Sequence, residues 1–314
     1  MAPTSFGAGG LFGGGERYPL ELARALAEHV ECELVTFSPR PGTTRHSTGL
    51  TVKGLRPWGH LHGHPAHPVG GGGWGGLLPR LFHRFLAVSS YSARTLEAPL
   101  ARTTIIYGGA DPQRFFPGRE RRSGVLFVGR LTPHKGLDVL IRALPEHADL
   151  LVAGMAGHDR DPPERDYPSL LHRLAEGRSV RFAGAIHDRE LPELYRTRTV
   201  LVLPSVHLTC YGRRIAISEL LGLVAIEAMA SGTPVVASRV GGLGEVVQDG
   251  ETGFLVEPGD VGELKDRLGL LLSDPALAGR MGARARDVAA ERFTWAACAE
   301  RCLGAYEQLV RDAT

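Results

Sequence analysis

Two cations follow a short apolar run in the segment VGRLTPHKG, and their spacing suits the binding of a diphosphate. The run 124–130 predicts a strand with Arg130 at its carboxyl end, and Lys135 comes just before a helix that begins near Gly136. Ligands of open α/β sheets bind beyond the carboxyl ends of the strands, and cations beside a helix N-terminus attract phosphates. Solvated surface charge is the competing interpretation of this pair.

Two glutamates, Glu219 and Glu227, interrupt the apolar stretch SELLGLVAIEAMASGTPVVAS. Burying an unpaired carboxylate is costly, so a helix that only packs would carry neither. Gly222 falls near the predicted start of this helix, where backbone amides can approach a phosphate. One carboxylate can then accept sugar hydroxyls, and the other can accept the hydroxyls of a ribose. The structural alternatives are a charge at the helix N-terminus for Glu219 and an arginine partner for Glu227.

A glycine pair, Gly241 and Gly242, follows a predicted strand and precedes a short helical piece. Two interpretations stay open for the pair. Its amides can face a ligand at the edge of the sheet, or it can form a tight turn.

The elements that must position these residues alternate from about residue 124 onward, with continuous apolar strands between amphipathic helices. This alternation is typical of a parallel sheet covered on both faces, and about six strands suffice for one complete Rossmann-like domain. The predicted strands are 124–130, 149–155, 180–186, 199–205, 234–238 and 253–259. The predicted helices are 136–147, 167–177, 189–197, one beginning near Gly222, 261–274 and two more at the end.

The first part of the chain resembles an α/β domain with pieces missing. A helix is predicted over 17–30, and strands over 32–37, 50–55, 84–89 and 102–108. The segment 57–80 supports neither helix nor strand, and no strand precedes the first glycine loop. We expect an abridged N-terminal domain at 1–115, a complete C-terminal domain at 116–292, and a last helix at 293–314 that packs toward the first domain.

Three segments, VGRLTPHKGLDVLIRAL, ELLGLVAIEAMASGTPVVAS and VGGLGEVVQDGETGFLVEPGD, resemble the C-terminal domain of the GT-B glycosyltransferases of family 4 in order and spacing. The resemblance covers about 120–314. It implies two Rossmann-like domains and transfer of a sugar from a nucleoside-diphosphate sugar with retention. It also implies that cations replace a metal, so no cofactor is expected.

Individual roles follow from the resemblance only. It implies that Arg130 and Lys135 contact the donor diphosphate, and that Glu219 faces the donor sugar. It implies that Glu227 binds the ribose, and that amides around Gly222 and Leu223 support the phosphates. The segment FGGGERYPLELARALAEHVECELVTF resembles the family's glycine loop, which implies that Gly14 and Gly15 lie against the donor. The chain has ELLG where EPFG is common, a change that preserves the backbone role.

The net charge and the hydropathy pattern limit which classes of partner are expected. The net charge of +2 argues against nucleic acid as the main partner. No signal-peptide layout and no spanning apolar run is visible in this sequence, so a cytoplasmic enzyme is expected, with peripheral membrane contact left open. The acceptor can be a glycan, a lipid or a small molecule. Cys298 and Cys302 predict a packing face, and the cluster His60, His62, His64 and His67 favours a flexible loop over a metal site.

Two other functions remain open. The gap in the first domain is compatible with a degenerate, non-catalytic nucleotide-sugar-binding protein or partner subunit. A GT-B epimerase or a phosphorylase is a weaker alternative, because the former needs an acid and base that we do not find and the latter needs a longer chain.

Overall fold

A computed structural model describes residues 14–37, 42–47, 49–55, 83–95, 98–156 and 164–313. The chain divides into two compact units, one formed by 1–109 with 295–314 and the other by 110–294. Strands and helices alternate and most strand pairs are parallel, so the predicted α/β class is confirmed. The domain limits predicted from the sequence, and the abridgement of the first domain, stay predictions.

The described elements are numbered in chain order. The strands are β1 (Cys32–Phe37), β2 (Gly42–Ser47), β3 (Leu50–Leu55), β4 (Phe85–Ala87), β5 (Thr103–Ile105), β6 (Val125–Val128), β7 (Leu150–Ala153), β8 (Val180–Gly184), β9 (Val200–Leu203), β10 (Val235–Ser238) and β11 (Gly253–Val256). The helices are α1 (Gly14–Leu26), α2 (Ser90–Thr95), α3 (Leu137–Ala143), α4 (Tyr167–Ala175), α5 (Leu191–Thr197), α6 (Leu223–Ala230), α7 (Leu243–Val246), α8 (Val261–Ser273), α9 (Pro275–Arg292) and α10 (Trp295–Ala313). None of these helices is long and apolar enough to cross a membrane.

The first unit contains small sheets. Strand β3 pairs in parallel with β1 and antiparallel with β2, and β4 pairs in parallel with β5. The sequence analysis missed β2 because the segment GTTRHS has no apolar alternation. Cys298 and Cys302 of α10 are fully buried in a cluster with Ile106, so the predicted packing face is confirmed.

The second unit contains a six-stranded sheet in the order β11-β10-β9-β6-β7-β8, and every pair is parallel. Four of these strands, β7, β9, β10 and β11, are buried at every position. Burial on both faces explains their continuous apolar sequences. The prediction of about six parallel strands is confirmed.

Helix α3 is shorter than predicted, because it ends at Ala143 instead of continuing to residue 147. Pro145 accounts for the difference, since a proline disfavours the helical conformation of the residue before it. Leu144 accordingly adopts extended angles, with φ −61° and ψ 124°.

The strand order brings the candidate site residues to one edge. Strands β6 and β9 are direct neighbours, and β10 lies on the other side of β9. All three strands run in the same direction, so the loops that follow them emerge at a common edge of the sheet. These loops contain Lys135, Ser205 and the pair Gly241 and Gly242.

A partly buried arginine joins two helix ends at the opposite edge. The guanidinium of Arg122, just before β6, donates to the carbonyls of Tyr195 at 3.0 Å, Arg198 at 3.2 Å and Ser231 at 2.7 Å, and also to Oγ1 of Thr233. Burial lowers the pKa of this guanidinium. The last carbonyls of a helix lack partners within the helix, so Arg122 supplies donors where α5 and α6 end.

We predict that Arg122→Ala lowers the free energy of unfolding by about 2–4 kcal/mol, because several buried carbonyls lose a charged donor. Urea unfolding of the full chain measures this change. The matched control is Arg121→Ala, which removes an exposed arginine one residue away. Equal effects of the two substitutions would contradict the bridging role of Arg122.

Candidate functional site

One carboxylate oxygen at the carboxyl edge of the sheet has two donors. Oε1 of Glu219 accepts from Nζ of Lys135 and from Oγ of Ser205, the latter at 3.0 Å. Lys135 ends a short 3₁₀ turn before α3, and Ser205 lies two residues beyond β9. Ser205 is only 1% exposed, so this carboxylate is held at a fixed, partly buried point.

The backbone around Glu219 is fixed by the glycine pair. The amide of Gly242 donates to the carbonyl of Glu219 at 3.1 Å. Gly241 has φ 60°, and a Cβ added there would lie 1.8 Å from the same carbonyl oxygen. Only glycine permits such a close approach. The pair therefore positions Glu219, and the amide of Gly242 does not face a ligand.

Helix α6 begins where this segment ends. Gly222 is its N-terminal flanking residue with φ 97°, and a Cβ there would meet Cδ2 of Leu243 at 2.6 Å. Leu223 is the first helical residue. The first amides of a helix have no partner within it, so those following Gly222 are suited to an anion.

Arg130 lies beyond the end of β6 and is exposed. Its side chain makes no hydrogen bond or ion pair with any residue that the structure describes. The two predicted cations therefore differ in their surroundings: Lys135 contacts a carboxylate, whereas Arg130 is exposed.

The imidazole of His134 lies among these charges. Its pKa falls to about 4, first because the ring is buried and then because Lys135 and Arg130 repel a proton. Arg213 acts in the same direction, and Glu219 opposes it. The ring is therefore neutral at pH 7, and the three cations outweigh the one carboxylate in their effect on it. The carbonyl of His134 accepts from the amide of Val206 at 2.9 Å, which joins the loops after β6 and β9.

The second glutamate of the pair, Glu227, lies within α6 and is 4% exposed. The hydroxyl of Tyr195, on α5, donates to its Oε2 at 3.0 Å. This bond explains how a carboxylate is tolerated in an apolar helix. The side-chain donors to the two carboxylates therefore differ: Lys135 and Ser205 donate to Glu219, and Tyr195 donates to Glu227.

The remaining predicted residues lie elsewhere. Gly14 and Gly15 are the first two residues of α1, in the first unit, and their role toward a donor stays a prediction. The cluster His60 to His67 lies outside the described residues. Across the described part of the chain, no group of histidines, cysteines and carboxylates is arranged to hold a metal ion.

Sequence reasoning missed two participants, Ser205 and Tyr195. Ser205 follows a buried strand at its carboxyl end, and the rule that ligands bind at this edge was a signal that could have identified it. Tyr195 gave no such signal, because its contact with Glu227 joins two helices far apart in the sequence.

We predict that His134 makes the protein less stable as the pH falls from 6.5 to 4. In this window the unfolded chain binds a proton at His134 that the folded chain does not bind. The free energy of unfolding therefore decreases as the pH falls through the window. The contribution is about 1 kcal/mol per pH unit. Chemical unfolding at several pH values should give a flatter profile for His134→Gln. The exposed His147, changed to Gln, is the control, and an unchanged slope in His134→Gln would refute the assignment.

Comparison with protein families identifies the second unit. Residues 111–288, more than half of the chain, match the family described as Glycosyl transferases group 1. D-inositol 3-phosphate glycosyltransferase 2 of Catenulispora acidiphila is 35% identical over 246 residues, which cover 71% of this chain and 55% of that protein. The corresponding enzyme of Streptomyces scabiei is 36% identical over 242 residues, covering 70% and 51%. The chain thus spans about half the length of these curated relatives.

Solved structures agree in fold. Sucrose-phosphate synthase from Thermosynechococcus elongatus matches with a TM-score of 0.75 at 24% identity, over 96% of this chain and 94% of that chain. Anabaena HepE, solved in complex with UDP and glucose, matches with a TM-score of 0.64 at 25% identity, over 74% and 65%. The predicted GT-B fold class is confirmed by these similarities. On the family match and these relatives together, the chain belongs to the group 1 glycosyl transferases.

Proposed function

We propose that the protein transfers a sugar, with retention, from a nucleoside-diphosphate sugar to an acceptor hydroxyl. The observation that carries this proposal is the cluster of Lys135, Glu219 and Ser205 at the edge of the sheet, beside the exposed Arg130. The relatives are named as glycosyltransferases, and HepE was solved with UDP and glucose. Both facts support a nucleotide-sugar donor for this chain.

In this proposal the protein acts mainly by electrostatics. As the bond between the sugar and the diphosphate breaks, negative charge grows on the leaving phosphate. We infer that Arg130, Lys135 and the backbone amides around Gly222 and Leu223 stabilise that charge without a metal. Once these cations contact the bound diphosphate they need no further reorganisation as the bond breaks, which is why such arrangements lower a barrier.

The nucleoside end of the donor is assigned to Glu227. A carboxylate accepts hydrogen bonds from two hydroxyls of a ribose. Tyr195 donates to Oε2 and limits the rotation of the carboxylate in a nearly closed environment. Glu219, one turn before α6, is proposed to accept hydrogen bonds from the hydroxyls of the donor sugar. Gly14 and Gly15 are proposed to approach the donor from the first unit.

A second candidate function is a nucleotide-sugar-binding protein without transferase activity. The segment 57–80, which predicts neither helix nor strand within the first domain, favours this alternative. For the transferase, the acceptor stays open and can be a glycan, a lipid or a small molecule. The cytoplasmic location and the peripheral membrane contact also stay predictions.

We predict that Lys135→Ala and Arg130→Ala each weaken binding of a nucleoside diphosphate about 10- to 100-fold, as expected for lost charge-assisted contacts. Isothermal titration of the full chain with UDP, GDP and ADP measures the change. Lys265→Ala, at an exposed position on α8, is the matched control. No binding of any of the three by wild type would refute both candidate functions, and turnover of the corresponding nucleotide sugar separates the enzyme from the binder.

We also predict that Glu227→Gln weakens nucleoside diphosphate binding about 10-fold but leaves inorganic diphosphate binding unchanged, because only the former ligand has a ribose. Tyr195→Phe keeps the carboxylate and removes its donor, so its loss should be smaller. Equal losses for the two ligands in Glu227→Gln would rule out the ribose contact.

A further inference from the structure

We infer that Ser205 is the positioning residue of Glu219, and that it holds this carboxylate in place when the diphosphate of the donor takes Lys135 away from it. The inference rests on the proposed function, since it assigns Lys135 to the donor diphosphate. It adds a competition within the site, in which the diphosphate takes Lys135 from the carboxylate that accepts the hydroxyls of the sugar.

In the free protein, Glu219 is paired with the cation that a diphosphate would contact. Lys135 and Ser205 both donate to the same oxygen, Oε1 of Glu219. The side chain of Lys135 is 20% exposed and that of Glu219 is 13% exposed, so the pair is only weakly screened by water. Without a ligand, Glu219 therefore neutralises the cation that the diphosphate needs. A diphosphate must compete with this carboxylate for the ammonium group.

Of the two donors to Glu219, Lys135 is the one that can turn to a ligand. Lys135 has a long flexible side chain, whereas Ser205 has a short one in a buried position. The backbone around Ser205 is close-packed, because a Cβ added to Gly136 would lie 1.9 Å from the carbonyl oxygen of Pro204. On the other side of Ser205, the amide of Val206 donates to the carbonyl of His134 at 2.9 Å. Ser205 thus stays in place when Lys135 turns to a ligand.

Glu219 depends on its side-chain partners for the position of its carboxylate. Its backbone is fixed by the amide of Gly242 at 3.1 Å, but it lies in an irregular segment, so its carboxylate depends on side-chain partners. Once Lys135 turns to the diphosphate, the hydroxyl of Ser205 is the donor that keeps the carboxylate at this point. Glu219 then has two opposite effects: it competes with a bare diphosphate for Lys135, and it accepts hydroxyls from a complete donor.

The competition is tested with inorganic diphosphate, a probe that does not depend on the base or the sugar. Isothermal titration without metal compares wild type, Glu219→Gln, Lys135→Ala and the double variant. We expect Glu219→Gln to bind diphosphate about 5- to 10-fold more tightly than wild type, and to have no such effect in the Lys135→Ala background. Glu251→Gln, an exposed residue of the same unit, controls for the loss of one negative charge.

Weaker or unchanged binding by Glu219→Gln would overturn the competition. Equal tightening with and without Lys135 would also overturn it, because that result would show simple repulsion between Glu219 and the diphosphate. If wild type binds neither diphosphate nor any of UDP, GDP and ADP, the proposed function fails together with this inference. If wild type binds and the cycle is additive, the inference alone fails.

The role of Ser205 is tested by the gain in affinity that the sugar provides, measured as the ratio of UDP-glucose to UDP affinity. We expect Ser205→Ala to lower this ratio about 5-fold while UDP affinity changes less than 2-fold, and to lower it no further in Glu219→Gln. Ser205→Cys, which keeps the shape with a weak donor, should fall in between and serves if Ser205→Ala does not fold. An unchanged ratio in both variants, or additive losses with Glu219→Gln, would refute the positioning role.

Discussion

The site depends on one oxygen atom, Oε1 of Glu219, which accepts hydrogen bonds from an ammonium group and from a buried hydroxyl. A carboxylate at the edge of a sheet would ordinarily be hydrated and mobile. Here the loops after three adjacent strands converge on it: the loop after β6 contains Lys135, the loop after β9 contains Ser205, and the loop after β10 contains Gly241 and Gly242. These loops lie side by side because β10, β9 and β6 are neighbours in the sheet.

The two edges of the sheet have different tasks. At the amino edge Arg122 donates to carbonyls where α5 and α6 end, and those helices carry Tyr195 and Glu227. At the carboxyl edge the close backbone contacts of Gly241 and Gly242 fix the segment that contains Glu219. Under the proposed function, stability and ligand chemistry are separated along the strand direction, since ligands of open α/β sheets bind beyond the carboxyl ends of the strands. A change at the amino edge can still reach the ligand site through the helix that contains Glu227.

The sequence allowed prediction of those features that local chemistry decides. Continuous apolar runs identified the parallel sheet. Ligands of open α/β sheets bind beyond the carboxyl ends of the strands, and this rule singled out Arg130 and Lys135 at that edge. The sequence patterns did not predict the end of α3 at Ala143, although Pro145 was visible. The partners of the carboxylates could not be predicted either, since Ser205 and Tyr195 are separated in sequence from Glu219 and Glu227 and meet them only through the fold. The same holds for Gly241, whose contact with the carbonyl of Glu219 required the neighbouring loop to be in place.

A crystal structure of the full chain with a bound nucleoside diphosphate tests the central claim most directly. The account predicts a phosphate oxygen within hydrogen-bond distance of Nζ of Lys135, ribose hydroxyls at the carboxylate of Glu227, and Oγ of Ser205 still on Glu219. A nucleotide bound away from the edge formed by β6 and β9, with Lys135 still paired to Glu219, would contradict it.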